Sequence, residues 1–445
     1  MKIKLLKLWD SLHSSYWFVP TLMATIAIAL AFGMVTLDRY GMSGPIEKLG
    51  WIYSGGPEGA RTLLSSVAGS MITVAGTVFS ITLVALQLAS SQFGPRLLRN
   101  FMQDTGNQVV LGTFIATFIY CLLVLRTIHG EDYEVFVPQI SVTVGILLAI
   151  ASIGVFIYFI HHASTSIQSS YIIAQVGSDL DKAIDRLFPE KIGHGVANSR
   201  RSVEEIPANF HREASPILAT SSGYLQAIDD EKLMQIAKSK NLILRLKYGP
   251  GKFIVQGSEI VAVWPNKAVD KNLAKQIHQL FILGRQRTEQ QDIEFSIDQL
   301  VEIAVRAISP GVNDPFTAIS CIDRLSVALC GLAEREFPSP YRYDEEKNLR
   351  VIAERVTFVG IIDAAFNQIR QYSKPDVAVQ IRLLETIAVI ATHTKNKKYR
   401  QALVHHANMI QRTSQAQISE ESDRDCVKER YLAALKELDD VNSVV

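Results

Sequence analysis

The 445 residues lack an excess of either charge: 45 Lys and Arg stand against 44 Asp and Glu. Without a basic surplus the chain has no electrostatic footprint for a nucleic acid. It also lacks the polar bias of a disordered chain, since 48% of it is hydrophobic. Cysteine is scarce. Cys121, Cys321, Cys330 and Cys426 have neither metal-like nor redox-pair spacing, which fits a reducing compartment. Also missing are a Ser-His-Asp order, a metal-spaced His/Cys cluster and a strand–P-loop–helix context. Gly249-Pro250-Gly251 has no Lys-Ser/Thr ending and is a weak phosphate-loop signal. The expectation is therefore no catalytic residue, metal or cofactor.

Charge is also unevenly placed. Residues 1–170 hold 17 charged side chains, about 10% of that stretch, against 72, about 26%, in 171–445. The windows 11–37, 62–95, 105–125 and 135–178 contain no Asp, Glu, Lys or Arg. Each can supply the roughly 20 apolar residues that cross a bilayer core, where one central charge costs about 2.5–3.5 kcal/mol. A single soluble globule is excluded. We expect four spans, near 17–37, 67–89, 108–128 and 138–160, with Tyr16 and Trp17 at a headgroup layer. The apolar run after Lys2, Lys4 and Lys7 continues to Leu37 and three more spans follow, so it reads as an uncleaved anchor. An even number of spans puts both termini on one side, taken as the cytoplasm.

The second span carries a pattern within this apolar background. At alternating three- and four-residue steps it presents Ser70, Thr73, Thr77, Ser80, Val84, Gln87 and Ser91, six of the seven polar and all on one helical stripe. Lipid cannot satisfy hydroxyls and amides, so the stripe should meet protein or water. Two roles stay open. The hydroxyls can act as bundle glue, with Gly69 and Gly76 admitting a close neighbour. Alternatively, copies of the helix ring an axis and line a water-filled path with Val84 as an apolar constriction. No charge lies in the stripe, which argues against a proton relay or an ion-coupled carrier.

Gly94-Pro95 should break the helix as it leaves the membrane. Arg96 and Arg99 follow, either as headgroup anchors or as a cationic ring at a pore mouth. After the fourth span, adjacent His161 and His162 point about 100° apart on a helix and cannot serve one metal from one face. They read as interfacial polar residues, with pH sensing as the alternative.

The remainder is read as a cytoplasmic α+β region. A helical stalk at 171–189 runs through Ile172, Val176, Leu180, Ile184 and Leu187 to Pro189. A β-rich subdomain at 190–268 has the turn chemistry of a small barrel. A helical bundle at 269–445 follows, with helices near 270–283, 292–308, 315–335, 346–371, 376–393, 397–415 and 422–439. Its densest polar strip holds Arg285, Arg287, Asp292, Glu294, Asn313 and Asp314. Asp298, Glu302 and Arg306 share a helical face and can pair along it. Asp314 fits an N-cap with Pro315 at N1, so capping alone explains that loop. In a functional version Asn313 and Asp314 face a cation, nucleotide or partner, and the arginines meet a phosphate or carboxylate.

Ala60-Arg61, Ser90-Ser91-Gln92-Phe93-Gly94-Pro95-Arg96, Gln291-Asp292-Ile293-Glu294-Phe295 and the run from Ala307 to Ala318 through Ser309-Pro310-Gly311-Val312-Asn313-Asp314-Pro315 stand out as motifs. Together they resemble a bacterial family of predicted membrane proteins catalogued as a domain of unknown function. The resemblance covers nearly the whole chain. It implies an inner-membrane protein with four spans and a cytoplasmic domain, and it brings no activity.

The expectation is an α-helical membrane domain, 1–170, in a lipid bilayer. It forms a homo-oligomeric channel or pore, and the cytoplasmic region sets assembly or gating and can take a small ligand or ion. The alternative from another class is a membrane-anchored sensor or scaffold, with a membrane enzyme third.

Overall fold

A computed structural model describes residues 15–40, 52–94, 104–129, 136–188, 206–266, 269–353 and 356–439. The chain divides into two compact units, Met1–Tyr171 and Ile172–Val445.

The first unit is built from α1 (Phe18–Arg39), α2 (Pro57–Phe93), α3 (Thr105–Leu125) and α4 (Gln139–Ser166). The central helix is α3, which packs against the other three. Close approach requires small residues. A Cβ on Gly112 would lie 2.6 Å from Met23 Sδ and 3.2 Å from Pro20 Cα, and one on Gly145 would lie 3.0 Å from Leu64. Two buried pairings join the helices: Thr117 and Ser152 lie 3.1 Å apart, and Tyr120 donates to the Ser141 carbonyl. Asp38 near the end of α1 caps α4, accepting from the amides of Ile140 and Ser141 at 3.0 and 2.9 Å and from Ser141 Oγ at 2.6 Å. An anion at a helix N-terminus satisfies orphan amides and complements the dipole.

The second unit begins within α5 (Ser169–Leu187), whose Ile172, Val176, Leu180 and Ile184 are buried. The helix expected as a stalk therefore has a packed face. Arg335 closes its C-terminal end, donating to the carbonyls of Ile184 and Phe188 at 2.9 and 2.6 Å. Next come α6 (Phe210–Glu213), β1 (Ser215–Leu218), β2 (Gly223–Ile228), α7 (Asp230–Ser239), β3 (Ile243–Leu246), β4 (Phe253–Ile254), β5 (Glu259–Trp264), α8 (Lys271–His278) and β6 (Phe281–Gly284). Then follow α9 (Ile293–Ala307), α10 (Pro315–Ala333), β7 (Tyr341–Tyr343), β8 (Leu349–Ala353), α11 (Phe358–Tyr372), α12 (Val377–Thr392), α13 (Lys397–Gln417) and α14 (Glu421–Asp439). Helix starts are written into the sequence. Asp229, Asp270, Asp314, Thr357, Asp376 and Asn396 each accept from an amide of the first turn they precede.

The strands form two sheets, β1-β5-β3-β8-β7 and β4-β2-β6. This differs from the small barrel expected within 190–268. The edges are completed by strands from farther along: β8 pairs parallel with β3, Leu244 opposite Val351, and β6 pairs antiparallel with β2. Two expected helices change accordingly. The one at 270–283 ends at His278 and yields to β6, and the one at 346–371 begins at Phe358 because Leu349–Ala353 is strand β8. Leu225, Leu244, Val261, Leu273 and Ile277 belong to the core under the sheets.

Among the described residues, five helices are long and apolar enough to cross a membrane by length and composition: α1 to α4 and α10. In the second unit α10 packs against α9 and α12, with Cys321, Ile322, Leu325 and Leu329 buried.

Candidate functional site

Residues on α2 sort sharply by face. Its buried seam is Ala60, Leu64, Ala68, Met71, Ala75, Val78, Ala85, Ala89 and Phe93. At 100° per residue, the stripe of Ser70, Thr73, Thr77, Ser80, Val84, Gln87 and Ser91 lies about 160° from that seam. All seven positions are exposed, Val84 at 60%. Gly69 and Gly76 open onto the same side, with nothing among the described residues within 4 Å of a Cβ built there.

This exposed face differs from those of its neighbours. On α1 the exposed residues include Leu22, Ile26 and Phe32, and on α4 Leu147, Ile150, Ile153 and Ile157. Those large apolar side chains suit lipid, whereas α2 offers glycine, serine, threonine and glutamine between flanks such as Ile72, Phe79 and Leu88. The hydroxyls do not dangle. Ser70, Thr73, Thr77 and Ser80 donate to carbonyls one turn back, those of Ser66, Gly69, Thr73 and Gly76, at 2.8, 2.8, 3.1 and 3.0 Å. Ser91 donates to the Leu88 carbonyl at 2.9 Å. With each proton used inside the helix, the outward chemistry of these groups is the oxygen lone pair, an acceptor for water or another donor.

Two polar clusters close the helical unit. Where α3 starts and α4 ends, Asp104 caps α3 by accepting from the Gly106 amide at 2.8 Å, and its Oδ2 lies 2.6 Å from His162 Nε2. The His162 ring stacks on Tyr158, centroids 5.4 Å apart, whereas His161 is exposed. Sequence reasoning found both histidines and missed Asp104. Its signal is a lone acid one residue ahead of a charge-free window. Where α1 ends and α4 begins, Arg61 Nη2 donates to the Ile128 carbonyl at 3.0 Å and the Arg39 guanidinium lies 5.8 Å from the Phe136 ring centroid. Arg96 and Arg99 lie outside the described residues.

The strip in the second unit resolves into separate structural roles. Arg287 Nε donates to Asp292 Oδ2 at 2.8 Å and its Nη1 to Asp298 Oδ2 at 2.5 Å, over the Phe295 ring. Asp292 is only 3% exposed. Burial pushes its carboxyl up, and Arg287 opposes that rise. Gly251, at φ +90°, passes so close that a Cβ there would meet Asp292 Oδ2 at 2.2 Å. Gln291 clamps β2 by accepting from the Ile228 amide at 2.9 Å and donating to its carbonyl at 3.1 Å. Glu294 pairs with Lys252 at 3.1 Å, and Arg285 is exposed.

Asn313 and Asp314 lie beyond the other end of α9, whose 15 residues span about 22 Å. The structure therefore does not gather the six candidates into one site. Asp314 accepts from the Thr317 amide and hydroxyl at 3.1 and 2.6 Å, and exposed Asn313 adopts φ +52°. Of the three residues expected to pair along α9, Glu302 and Arg306 do so at 3.7 Å, while Asp298 turns to Arg287. Among the described residues no group of three His, Cys, Asp or Glu side chains could hold a metal ion.

Comparison with known proteins gives relatives along almost the whole chain. Uncharacterized proteins of Mycobacterium tuberculosis and of Mycobacterium bovis are each 34% identical over 425 residues, covering 93% of this chain and 79% of theirs. No solved structure matches. The model of the family described as "Predicted membrane protein (DUF2254)" matches residues 13–389. With apolar helices in place and a family match over most of its length, the chain belongs to this family of predicted membrane proteins.

Proposed function

We propose that the protein is a homo-oligomeric channel of a bacterial inner membrane, with four spans, α1 to α4, and with α2 lining the path. Both termini lie in the cytoplasm, and the second unit sets assembly or gating there. One observation carries the reading: the polar stripe is exposed on the protomer, opposite the packed seam of α2. A face of hydroxyl oxygens and an amide gains little from lipid, so it finds its partner in other copies or in water. Its 37 residues make α2 about 55 Å long, more than the roughly 30 Å of a hydrocarbon core, so the stripe can run from one leaflet to the other. Val84 is the apolar member of the stripe and the expected constriction.

A second reading has one observation in its favour. Because the stripe hydroxyls already donate to their own helix, two copies of α2 can pack dry through Gly69 and Gly76, as in a scaffold without a path. Reconstitution separates the two. Purified full-length protein in planar bilayers should give discrete conductance steps, altered at least several-fold by Val84→Ser and blocked by Ser80→Trp. A stable oligomer without conductance would favour the scaffold.

A further inference from the structure

We propose that the first unit holds a binding site for a membrane-dissolved alcohol, an apolar body carrying one hydroxyl, in a cavity lined by α2, α3 and α4 beside Tyr16. The cavity encloses about 190 Å³. That is larger than the roughly 150 Å³ known to hold a benzene molecule. Its walls are mostly apolar, with Phe79 and Leu83 from α2 and Phe159 and Ala163 from α4.

One polar atom in this wall asks for a partner, and a second stands beside it. Asn107 on α3 is 5% exposed; its Nδ2 donates to Asp104 Oδ2 at 3.3 Å, while its buried Oδ1 has no partner among the described residues. The Tyr16 hydroxyl is likewise buried, beside the Thr82 hydroxyl. Thr82, also in the wall, spends its proton on the Val78 carbonyl at 2.8 Å. A buried amide oxygen without a donor is destabilising, and a ligand hydroxyl both donates and accepts. One such group can donate to Asn107 Oδ1 and accept from Tyr16, while its carbon body fills the space between Phe79 and Phe159. A bare hydrocarbon would leave the amide unsatisfied, and water alone would leave the apolar walls wetted. Phe79 and Leu83 are 44% and 49% exposed, so the wall reaches the surface of α2, which in a bilayer is lipid. The site stands whether or not α2 lines a path.

The test is photolabelling of the full-length protein in liposomes with a diazirine-bearing octanol, adducts being mapped by mass spectrometry. Saturable labelling of Tyr16, Phe79 or Leu83 is expected, competed by 1-octanol and far less by octane. Asn107→Leu should weaken labelling about tenfold through loss of the acceptor, and Ala163→Phe should abolish it by filling the cavity. Both variants are compared at matched oligomer size and thermal midpoint, and if Ala163→Phe does not fold, Asn107→Leu decides. Labelling spread without saturation over the exposed Ile150, Ile153 and Ile157 would overturn the proposal, as would unchanged labelling in Asn107→Leu.

Discussion

Arg287→Met tests whether the charged strip is structural or a ligand site. The guanidinium bridges two carboxylates, and its side chain is 17% exposed against 3% for Asp292 and 26% for Asp298. Removing one member of a buried pair typically costs about 3–5 kcal/mol. Loss of the contact over Phe295 adds about 0.5–1 kcal/mol. Two effects limit the sum: Asp298 keeps access to water, and Asp292, already raised by burial, can take up a proton once Arg287 is gone. The expected cost is about 3–4 kcal/mol. At about 2–4 °C per kcal/mol for a domain of this size class, the thermal midpoint falls by roughly 6–16 °C. Circular dichroism of the full-length protein in nanodiscs reads this directly. The exposed pair between Lys252 and Glu294 is the control, and Lys252→Met should cost under about 1 kcal/mol. Adding Asp292→Leu to Arg287→Met should recover part of the loss, because an apolar replacement of a buried pair is nearly neutral. A midpoint within about 2 °C of wild type would refute the reasoning and return Arg287 to the ligand candidates.

Two further outcomes follow from the same geometry. Asp38→Ala removes three hydrogen bonds at the start of α4 and should cost about 2–4 kcal/mol; an unchanged thermal midpoint would mean water replaces the carboxylate. His406 is buried, which lowers its pKa, and the neighbouring charges of His405 and Arg370 add to this while Asp363 at 2.9 Å opposes it. The folded state therefore binds its proton less readily than the unfolded chain, whose histidine titrates near pH 6.5. The stability it contributes is present above that value and is lost as pH falls through the lower folded value. Thermal midpoints at pH 8 and pH 5 should consequently differ less in His406→Leu than in wild type, and an equal difference would remove His406 from the account.

Much of the first unit was legible because charge is so costly in lipid that its absence marks long apolar helices. The least accurate boundary was that of α2, which begins at Pro57 rather than near 67. Arg61 lies in its first turns, where its guanidinium donates to the Ile128 carbonyl. The stripe on α2 was legible because helical periodicity is local. Which face is packed was not, since that depends on where α3 lies.

Non-local pairing accounts for the remaining differences. Leu349–Ala353 has an apolar pattern compatible with a helix, and it becomes a strand because β3 offers a free edge more than 100 residues away in sequence. Asp298 is placed by spacing beside Glu302 and Arg306, yet the turn before α9 delivers Arg287 to it first. Asp104 and His162 meet across 58 residues, a distance over which no periodicity speaks.

The central claim, that the exposed face of α2 meets water along a path, is tested most directly by cysteine accessibility. Cys121, Cys321 and Cys330 are buried and Cys426 is exposed, so Cys426→Ser provides the background. Single cysteines at 70, 73, 77, 80, 84, 87 and 91 are then treated with a charged, membrane-impermeant thiol reagent in reconstituted vesicles. Rapid modification is expected along the stripe, slowed beyond position 84 from one side, with none at the exposed apolar Ile150 or Ile153 or at the packed Ala75 and Val78. Stripe positions as unreactive as those four controls would contradict it.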